Sequence, residues 1–276
     1  MNRLLKPALA FTTLALGTFV FFSGCKKDTV DTETTSATDN NICESEFMRM
    51  MPATNKIAID ESGVHRLGWH GGNAVQSNDP DVTVPDSMGQ YPRHMIIDYG
   101  TGIVDAVDGK TRKGKIRCVI SAPWDTIGCT ITMSLDTFFV GAIQYEGTVT
   151  LTRTSADAFS MTVADGKCTK NTGDPWTILF DCNRNFTFTS GANNSSAAQV
   201  VTITGTNHGT DRNGKNWTAT ITSPIVRDLT CTWINQGTME LTPEGLATRT
   251  IDFGSGTCDN KGTITIEGNT FEFTMQ

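Results

Sequence analysis

From residue 93 to the end of the chain, apolar and polar side chains alternate with a period of two. This pattern is typical of strands that bury one face of a sheet, because successive side chains of a strand point to opposite faces. Hairpin-type dipeptides, which favour the positive φ of a two-residue loop, separate several of these runs: Asn213-Gly214, Asp165-Gly166 and Gly268-Asn269. The clearest alternating sets are Ile131/Met133/Leu135, Val149/Leu151, Phe186/Phe188, Trp217/Ala219/Ile221 and Phe271/Phe273/Met275.

The alternation predicts an all-β fold. We expect an antiparallel meander of about a dozen strands that forms a curled sheet or a barrel-like single domain over residues 42–276. No long helix is expected after residue 90, whereas Phe47, Met48 and Met51 could share one face of a short helix over residues 43–51.

The N-terminus has the pattern of a bacterial lipoprotein signal peptide. Arg3 and Lys6 precede an uncharged run over residues 7–22, and small residues lead to Cys25. The apolar run is too short and ends too abruptly for a membrane-spanning helix. Residues 1–24 are therefore predicted to be a signal peptide and Cys25 to carry the lipid, while an ordinary secretory signal with a chance cysteine is the alternative.

Residues 25–41 comprise the predicted lipidated cysteine and a polar segment, KKDTVDTETTSATDNN. A segment of this composition can bury little apolar surface, so we expect a disordered tether. Its fully extended reach would be on the order of 50 Å, from about 3.3 Å per residue.

The mature chain is acidic. The full sequence has 22 Lys+Arg and 29 Asp+Glu, and loss of Arg3 and Lys6 with the signal peptide gives 20 − 29 = −9 over 276 − 24 = 252 residues. Such a charge disfavours nucleic acid and anionic lipid surfaces as partners. A hydrophobic fraction of 38% is enough for one large β domain.

One motif occurs twice. Residues 97–105, IDYGTGIVD, align without gaps on residues 251–259, IDFGSGTCD, with five of the nine positions identical, namely Ile, Asp, Gly, Gly and Asp. Paired glycines at the end of an apolar run favour a structural bend, with the aspartates accepting hydrogen bonds from freed amides. A Ca²⁺ site is the sharper alternative, but two carboxylates in each copy are fewer than a calcium loop normally supplies. Its candidate ligands would be Asp98, Asp105, Asp252 and Asp259.

Four stretches of the chain carry a resemblance to known proteins: Cys25-Lys26-Lys27-Asp28 and residues 97–116, 205–214 and 248–261. By these stretches the chain resembles a family of Bacteroidota lipoproteins without an assigned activity, and the resemblance extends from about residue 90 to the end. It implies a cell-envelope location and an all-β fold. It supplies no catalytic residue.

Seven cysteines remain once Cys25 is assigned to the lipid. Residues opposed across a hairpin have a constant sum of numbers, so the midpoint of a bridged pair falls in the turn. Three pairs have their midpoints in loops that contain or adjoin a proline, Cys43 is left over, and buried free thiols are the alternative. The three predicted disulfides are Cys118 with Cys129, Cys168 with Cys182 and Cys231 with Cys258.

We find no catalytic motif, no metal-ligand spacing and no cofactor loop, so the chain is not expected to be an enzyme. Trp69 and His70 lie in a glycine-rich loop and Trp124 lies in an apparent loop, where they could contact a sugar ring.

Two functional classes are expected from these features. The first is a non-catalytic binding or structural module of the cell envelope, anchored through its lipid in the outer membrane, with a carbohydrate or an envelope protein as partner. The second is a carrier that holds an apolar or lipid-like ligand in an open β-barrel cavity. A filled inner face would favour the first class, and an open apolar cavity the second.

Overall fold

The computed structural model describes residues 31–60, 80–87, 89–105, 108–190, 200–228, 231 and 233–275. One helix, α1 (Thr35–Asp60), precedes fourteen strands. The strands are β1 (Asp81–Thr83), β2 (Arg93–Asp98), β3 (Ile103–Val104), β4 (Thr111–Ile120), β5 (Thr130–Val140), β6 (Ile143–Arg153), β7 (Ala158–Lys170), β8 (Trp176–Ser190), β9 (Val200–Thr210), β10 (Asn216–Asp228), β11 (Gln236–Pro243), β12 (Arg249–Ser255), β13 (Lys261–Ile266) and β14 (Asn269–Thr274).

All fourteen strands belong to one antiparallel sheet. Each strand from β4 onward pairs with its neighbour in sequence, β2 pairs with β1 and β4, and the short β3 also pairs with β4. The described strands thus form an open path that ends at β1 and β14, not a closed barrel. The predicted all-β antiparallel meander is confirmed, and it is an open sheet.

Of the three predicted turn dipeptides, one lies in a turn, one is displaced by a residue and one lies inside a strand. Asn213-Gly214 lies between β9 and β10, whereas the turn between β13 and β14 is Glu267-Gly268 and Asn269 begins β14. Asp165-Gly166 instead lies inside β7, where Asp165 has a φ of 54° and the register with β8 shifts between Val163 and Gly166. A positive φ is compatible with a β-bulge as well as with a turn, because the extra residue of a bulge departs from the regular strand geometry.

The core is formed by one face of the sheet together with α1. Inward positions on β8 are buried in strict alternation, and on β5 Ile131 and Met133 alternate in the same way until the bulge before Phe138. On β8 a charged residue follows the same alternation, since Arg184 is buried between Cys182 and Phe186. The inward face therefore carries arginine among its apolar side chains.

The sheet curves around α1. Asp39 and Glu46 are 46 − 39 = 7 residues apart, about 10 Å along a helix axis. Their partners, Arg212 just after β9 and Arg112 on β4, are five strand steps apart in the sheet order, about 24 Å at about 4.8 Å a step. From these two contacts we infer that the inward face is concave toward the helix.

The predicted tether and short helix are both corrected. α1 begins at Thr35 and extends well beyond the expected residues 43–51. Ser36, Asp39 and Asn40, which lie in the predicted tether, are buried. The segment is ordered because its polar groups find charged partners on the sheet, so it does not need apolar burial of its own. The compact unit that contains α1 and the sheet begins at Asp31.

Candidate functional site

The inner face of the curved sheet is the most elaborate polar environment in the described residues, and α1 occupies it. Along α1 the residues Ser36, Asp39/Asn40, Cys43, Glu46/Phe47 and Met50 are buried at three- and four-residue spacing, which is one face of a helix. The ring of Phe47 is fully buried, stacked at 5.7 Å on Phe180 and edge-on at 5.9 Å to Tyr145. This apolar contact fixes the centre of the helix on the sheet.

Four arginines bind the carboxylates of α1 and of the residues just before it. We refer to these four residues as the arginine row: Arg112, Arg184, Arg212 and Arg249.

Arg112, on β4, holds the C-terminal part of the contact. Its Nε and Nη2 atoms donate to the two carboxylate oxygens of Glu46, each at 2.9 Å, and the Arg112 side chain is 4% exposed. Asp105 and Asp108 accept further bonds from the same guanidinium at 2.9–3.1 Å. Arg49 of α1 lies 3.5 Å from Asp108 and adds a second positive charge to this cluster.

Electrostatics in this cluster favour the charged forms. Burial alone would raise the pKa of Asp108, but hydrogen bonds from Arg112 and from the Lys110 amide outweigh it and lower the pKa to about 2. Burial would likewise lower the pKa of Arg112, whereas its carboxylate partners raise that pKa above its usual range. Asp108 and Arg112 are therefore both ionised at neutral pH and are joined by charge-assisted hydrogen bonds.

Arg184, on β8, binds the middle of the contact between α1 and the sheet. Its Nε atom donates to Glu44 Oε1 at 2.8 Å and its Nη2 atom donates to the same oxygen at 2.6 Å. The other oxygen of Glu44 accepts from the amides of Asn207 and Asn40 at 3.1 and 3.2 Å. Glu44 is thus the shared acceptor of one helix residue and two sheet residues.

Arg212 and Arg249 bind the N-terminal part of the contact between α1 and the sheet. Arg212 donates to Asp39 from Nε at 2.8 Å and from its backbone amide at 2.8 Å, while its guanidinium lies 4.8 Å from the centre of the Trp176 ring. Arg249, on β12, donates to Asp31 Oδ1 at 3.0 Å and to the Glu33 carbonyl oxygen at 2.8 Å. The chain is therefore fixed to the sheet from Asp31 onward.

The carboxylates and guanidiniums of this face bind each other. The carboxylates of α1 neutralise the arginine row, so they are already engaged by cations of the same chain. Among the described residues, no cluster of three or more His, Cys, Asp or Glu residues is suited to a metal ion. The site that the structure presents is a helix-binding face already filled by the protein's own helix.

Acid should loosen this contact. Since the folded-state pKa of Asp108 is lowered, its contribution to stability is present above pH 4 and is lost as the pH falls from about 4 toward about 2. We expect the melting temperature of the wild-type protein to fall steeply in that window and that of Asp108→Asn to fall less steeply. Thermal melts followed by circular dichroism at about pH 7, 4 and 2.5 test this, and equal slopes for the two proteins would contradict it.

The two copies of the repeated motif share one hydrogen bond but not one backbone conformation, because Gly100 lies in the turn after β2 whereas Gly254 lies inside β12, beside a register shift. Asp98 accepts from the Gly100 amide and Asp252 accepts from the Gly254 amide, both at 2.8 Å, with positive φ at both glycines. The other two candidate ligands point elsewhere, because Asp105 pairs with Arg112 and Asp259 accepts from the Lys261 amide. The calcium alternative therefore has no support, and the bend interpretation agrees with the geometry.

One of the three predicted disulfides is present. Cys231 and Cys258 are bonded, whereas Cys118 is not bonded to Cys129 and Cys168 is not bonded to Cys182. In the sheet Cys118 lies opposite Met133, and Cys168 lies opposite Ile178. The pairings with Cys129 and Cys182 are wrong because each turn is centred about two residues away from the assumed midpoint, which shifts the register by about four.

Of the three predicted ligand contacts, Trp124 lies in the described residues and the other two do not. Trp124 is 6% exposed and lies beneath the Arg153 guanidinium, which is 5.8 Å from the centre of the indole ring, so it belongs to the core and offers no stacking platform. Trp69, His70 and the predicted lipidation site Cys25 lie outside the described residues.

The arginine row was missed in the sequence, although a signal was present. Arg184 occupies the inward phase of its strand between Cys182 and Phe186, and Arg249 shares its phase with Ile251. A cation at an inward position needs a buried carboxylate partner. The acid-rich residues 31–46 were the segment that could supply one.

No helix among the described residues is long and apolar enough to cross a lipid bilayer. Comparisons of the chain with protein-family models, with curated proteins and with solved structures give no match.

Proposed function

We propose that the protein is a lipid-anchored component of the cell envelope, held at the outer membrane by Cys25, and that it acts as a non-catalytic binding or structural module. The observation that carries the proposal is the filled inner face: α1 takes the space that a small ligand would need. The resemblance to Bacteroidota lipoproteins and the signal at residues 1–25 support the location.

The filled face is also why we propose a module and not a carrier. Phe47 packs on Phe180 and Tyr145 inside the curve, and the arginine row holds the helix on both sides of that contact. A lipid-like ligand would have to displace this helix and leave buried guanidiniums without carboxylates, which is costly.

The outer face is the surface left for a partner. It carries hydroxyl pairs between neighbouring strands, Thr222 with Thr238 at 2.9 Å and Thr265 with Thr270 at 3.0 Å. Exposed ion pairs such as Arg117 with Asp136 add charges of both signs. A face of hydroxyls and mixed charge suits a hydrogen-bonding partner, and we propose a polysaccharide or an envelope protein.

Few residues separate the proposed anchor from the described part of the chain. Residues 26–30 lie between Cys25 and Asp31, the first described residue. Five residues span at most about 17 Å at about 3.3 Å each. The maximum covalent reach is thus about a third of that expected from a tether ending at residue 41.

The anchor is tested by metabolic labelling with a palmitate analogue in a bacterial host that processes lipoproteins. We expect the wild-type chain to be labelled and Cys25→Ala to lose the label, because acyl chains attach to that cysteine. Cys43→Ala is the matched control and should keep the label, since Cys43 is buried in the folded unit. Label retained in Cys25→Ala would refute the anchor.

The module is tested on the same material by solvent extraction of the purified folded protein and lipid analysis. We expect no stoichiometric apolar molecule beyond the acyl chains of Cys25. One extracted lipid per chain that is present in Cys25→Ala would contradict the module and favour the carrier.

A further inference from the structure

Two cysteine sulfurs meet inside the protein, where α1 crosses β7. Cys43 lies on α1 and Cys168 on β7, both residues are 0% exposed, and their Sγ atoms are 2.7 Å apart. This separation is shorter than the about 3.5–4.0 Å at which even two non-bonded carbon atoms rest, although sulfur is larger. It approaches the about 2.05 Å of a covalent S–S bond.

Both sulfurs are held in place from the helix and from the sheet. Tyr145 lies opposite Cys168 in the ladder between β6 and β7, and its hydroxyl donates to the Ile42 carbonyl oxygen at 3.3 Å. One turn after Cys43, the Phe47 ring stacks on Phe180. The contacts on each side of the cysteine pair therefore keep the two sulfur atoms facing each other.

We propose that Cys43 and Cys168 form a second disulfide bond, which ties α1 covalently to the sheet. Each thiol gives up its proton, and the two sulfurs together give two electrons to the disulfide of an external oxidant, a dithiol oxidoreductase or oxidised glutathione. The oxidant leaves as two thiols, through a mixed disulfide with one of the two cysteines.

Exchange takes place before α1 docks. Burial and the contact with Cys43 raise the pKa of the Cys168 thiol well above its usual range. The thiolate is the attacking species in exchange, so the docked pair reacts slowly. Once formed, the bond is shielded from reductants by the same burial, and it joins the N-terminal segment to the middle of the sheet.

The other free cysteines provide internal controls. Burial raises the pKa of Cys118 and of Cys182 to about 12 in each case. The Cys129 thiol donates to the Ala122 carbonyl oxygen at 3.0 Å. We expect these three residues to stay reduced.

Disulfide mapping of the full-length chain tests the proposal. The chain is refolded with reduced and oxidised glutathione, unreacted thiols are alkylated in denaturant, and unreduced peptides are analysed by mass spectrometry. We expect Cys43 linked to Cys168 and Cys231 linked to Cys258, with Cys118, Cys129 and Cys182 alkylated. Alkylation of Cys43 and Cys168 in refolded protein with native β-sheet circular dichroism overturns the proposal, as does a link of either one to another cysteine.

Two variants and a rate complete the experiment. Cys43→Ala should make Cys168 alkylatable, whereas the matched control Cys182→Ala should lose one alkyl group and keep the crosslink. In native wild-type protein, dithiothreitol should reduce the Cys43 crosslink at least roughly tenfold more slowly than the bond to the exposed Cys258, because reduction requires α1 to undock. Equal reduction rates would show that the pair is not enclosed as proposed.

Discussion

Replacing Glu44 with alanine should lower the free energy of unfolding by about 3 kcal/mol or more, because Arg184 would remain buried without its carboxylate. The Arg184 side chain is 0% exposed, and both of its bonds to α1 end on Glu44. Asn207 loses its acceptor in the same substitution. In a domain of this size the melting temperature should fall on the order of 10 °C, measured by thermal and urea unfolding.

Two controls separate the buried pair from a general loss of charge. The double variant Glu44→Leu with Arg184→Met should regain most of the lost stability, because apolar side chains of similar volume replace a buried ion pair at little cost. Lys167→Ala breaks a pair with Glu146 in which both side chains are 44% exposed, and it should cost less than about 1 kcal/mol. If Glu44→Ala and Lys167→Ala unfold at the same urea concentration, the arginine row does not stabilise the fold.

Phe47→Ala should destabilise the protein by about 3–5 kcal/mol, since it removes a fully buried ring from the helix–sheet contact and leaves a cavity. The ring touches Phe180 and Tyr145, which lie on two different strands, so the surrounding groups cannot collapse into the space without moving the sheet. Urea unfolding followed by tryptophan fluorescence measures the loss.

Asn41→Ala, on the exposed side of the same helix, is the matched control and should stay within about 0.5 kcal/mol of the wild type. The two variants distinguish a helix that unfolds with the sheet from one that detaches alone. An unchanged unfolding midpoint for Phe47→Ala would mean that α1 is not part of the cooperative unit.

The sheet could be predicted from the sequence because its signal is local. Alternation along β5 and β8 assigns Ile131, Met133 and Phe186 to one face without knowledge of any other strand. The register between strands could not be predicted from alternation alone. A bulge such as the one at Asp165-Gly166, or a small shift of a turn, changes which residues lie opposite each other in every following pair. Two of the three predicted disulfides were wrong for that reason, and the bridge between Cys231 and Cys258 was predicted correctly.

The helix could not be predicted in the same way because its signal is not local. Residues 31–41 have the composition of a disordered chain, and their order depends on partners such as Arg212 and Arg249 far along the sequence. A composition rule counts apolar burial and does not count charge pairing across such distances. The sequence feature that indicates such partners is an arginine at an inward position of a predicted strand.

The contact between α1 and the arginine row also sets an order in time. Synthesis runs from the N-terminus, yet Glu33 binds Arg249, which is 216 residues further along. At about 5–20 residues per second, the acidic segment is complete on the order of 10 to 40 s before its last partner is made. Until its partner strand is synthesised, the acidic segment is exposed to water and must be soluble without that partner. Its polar, acidic composition makes it soluble. The composition that makes the acidic segment resemble a tether is also the composition that keeps it soluble until the sheet encloses it.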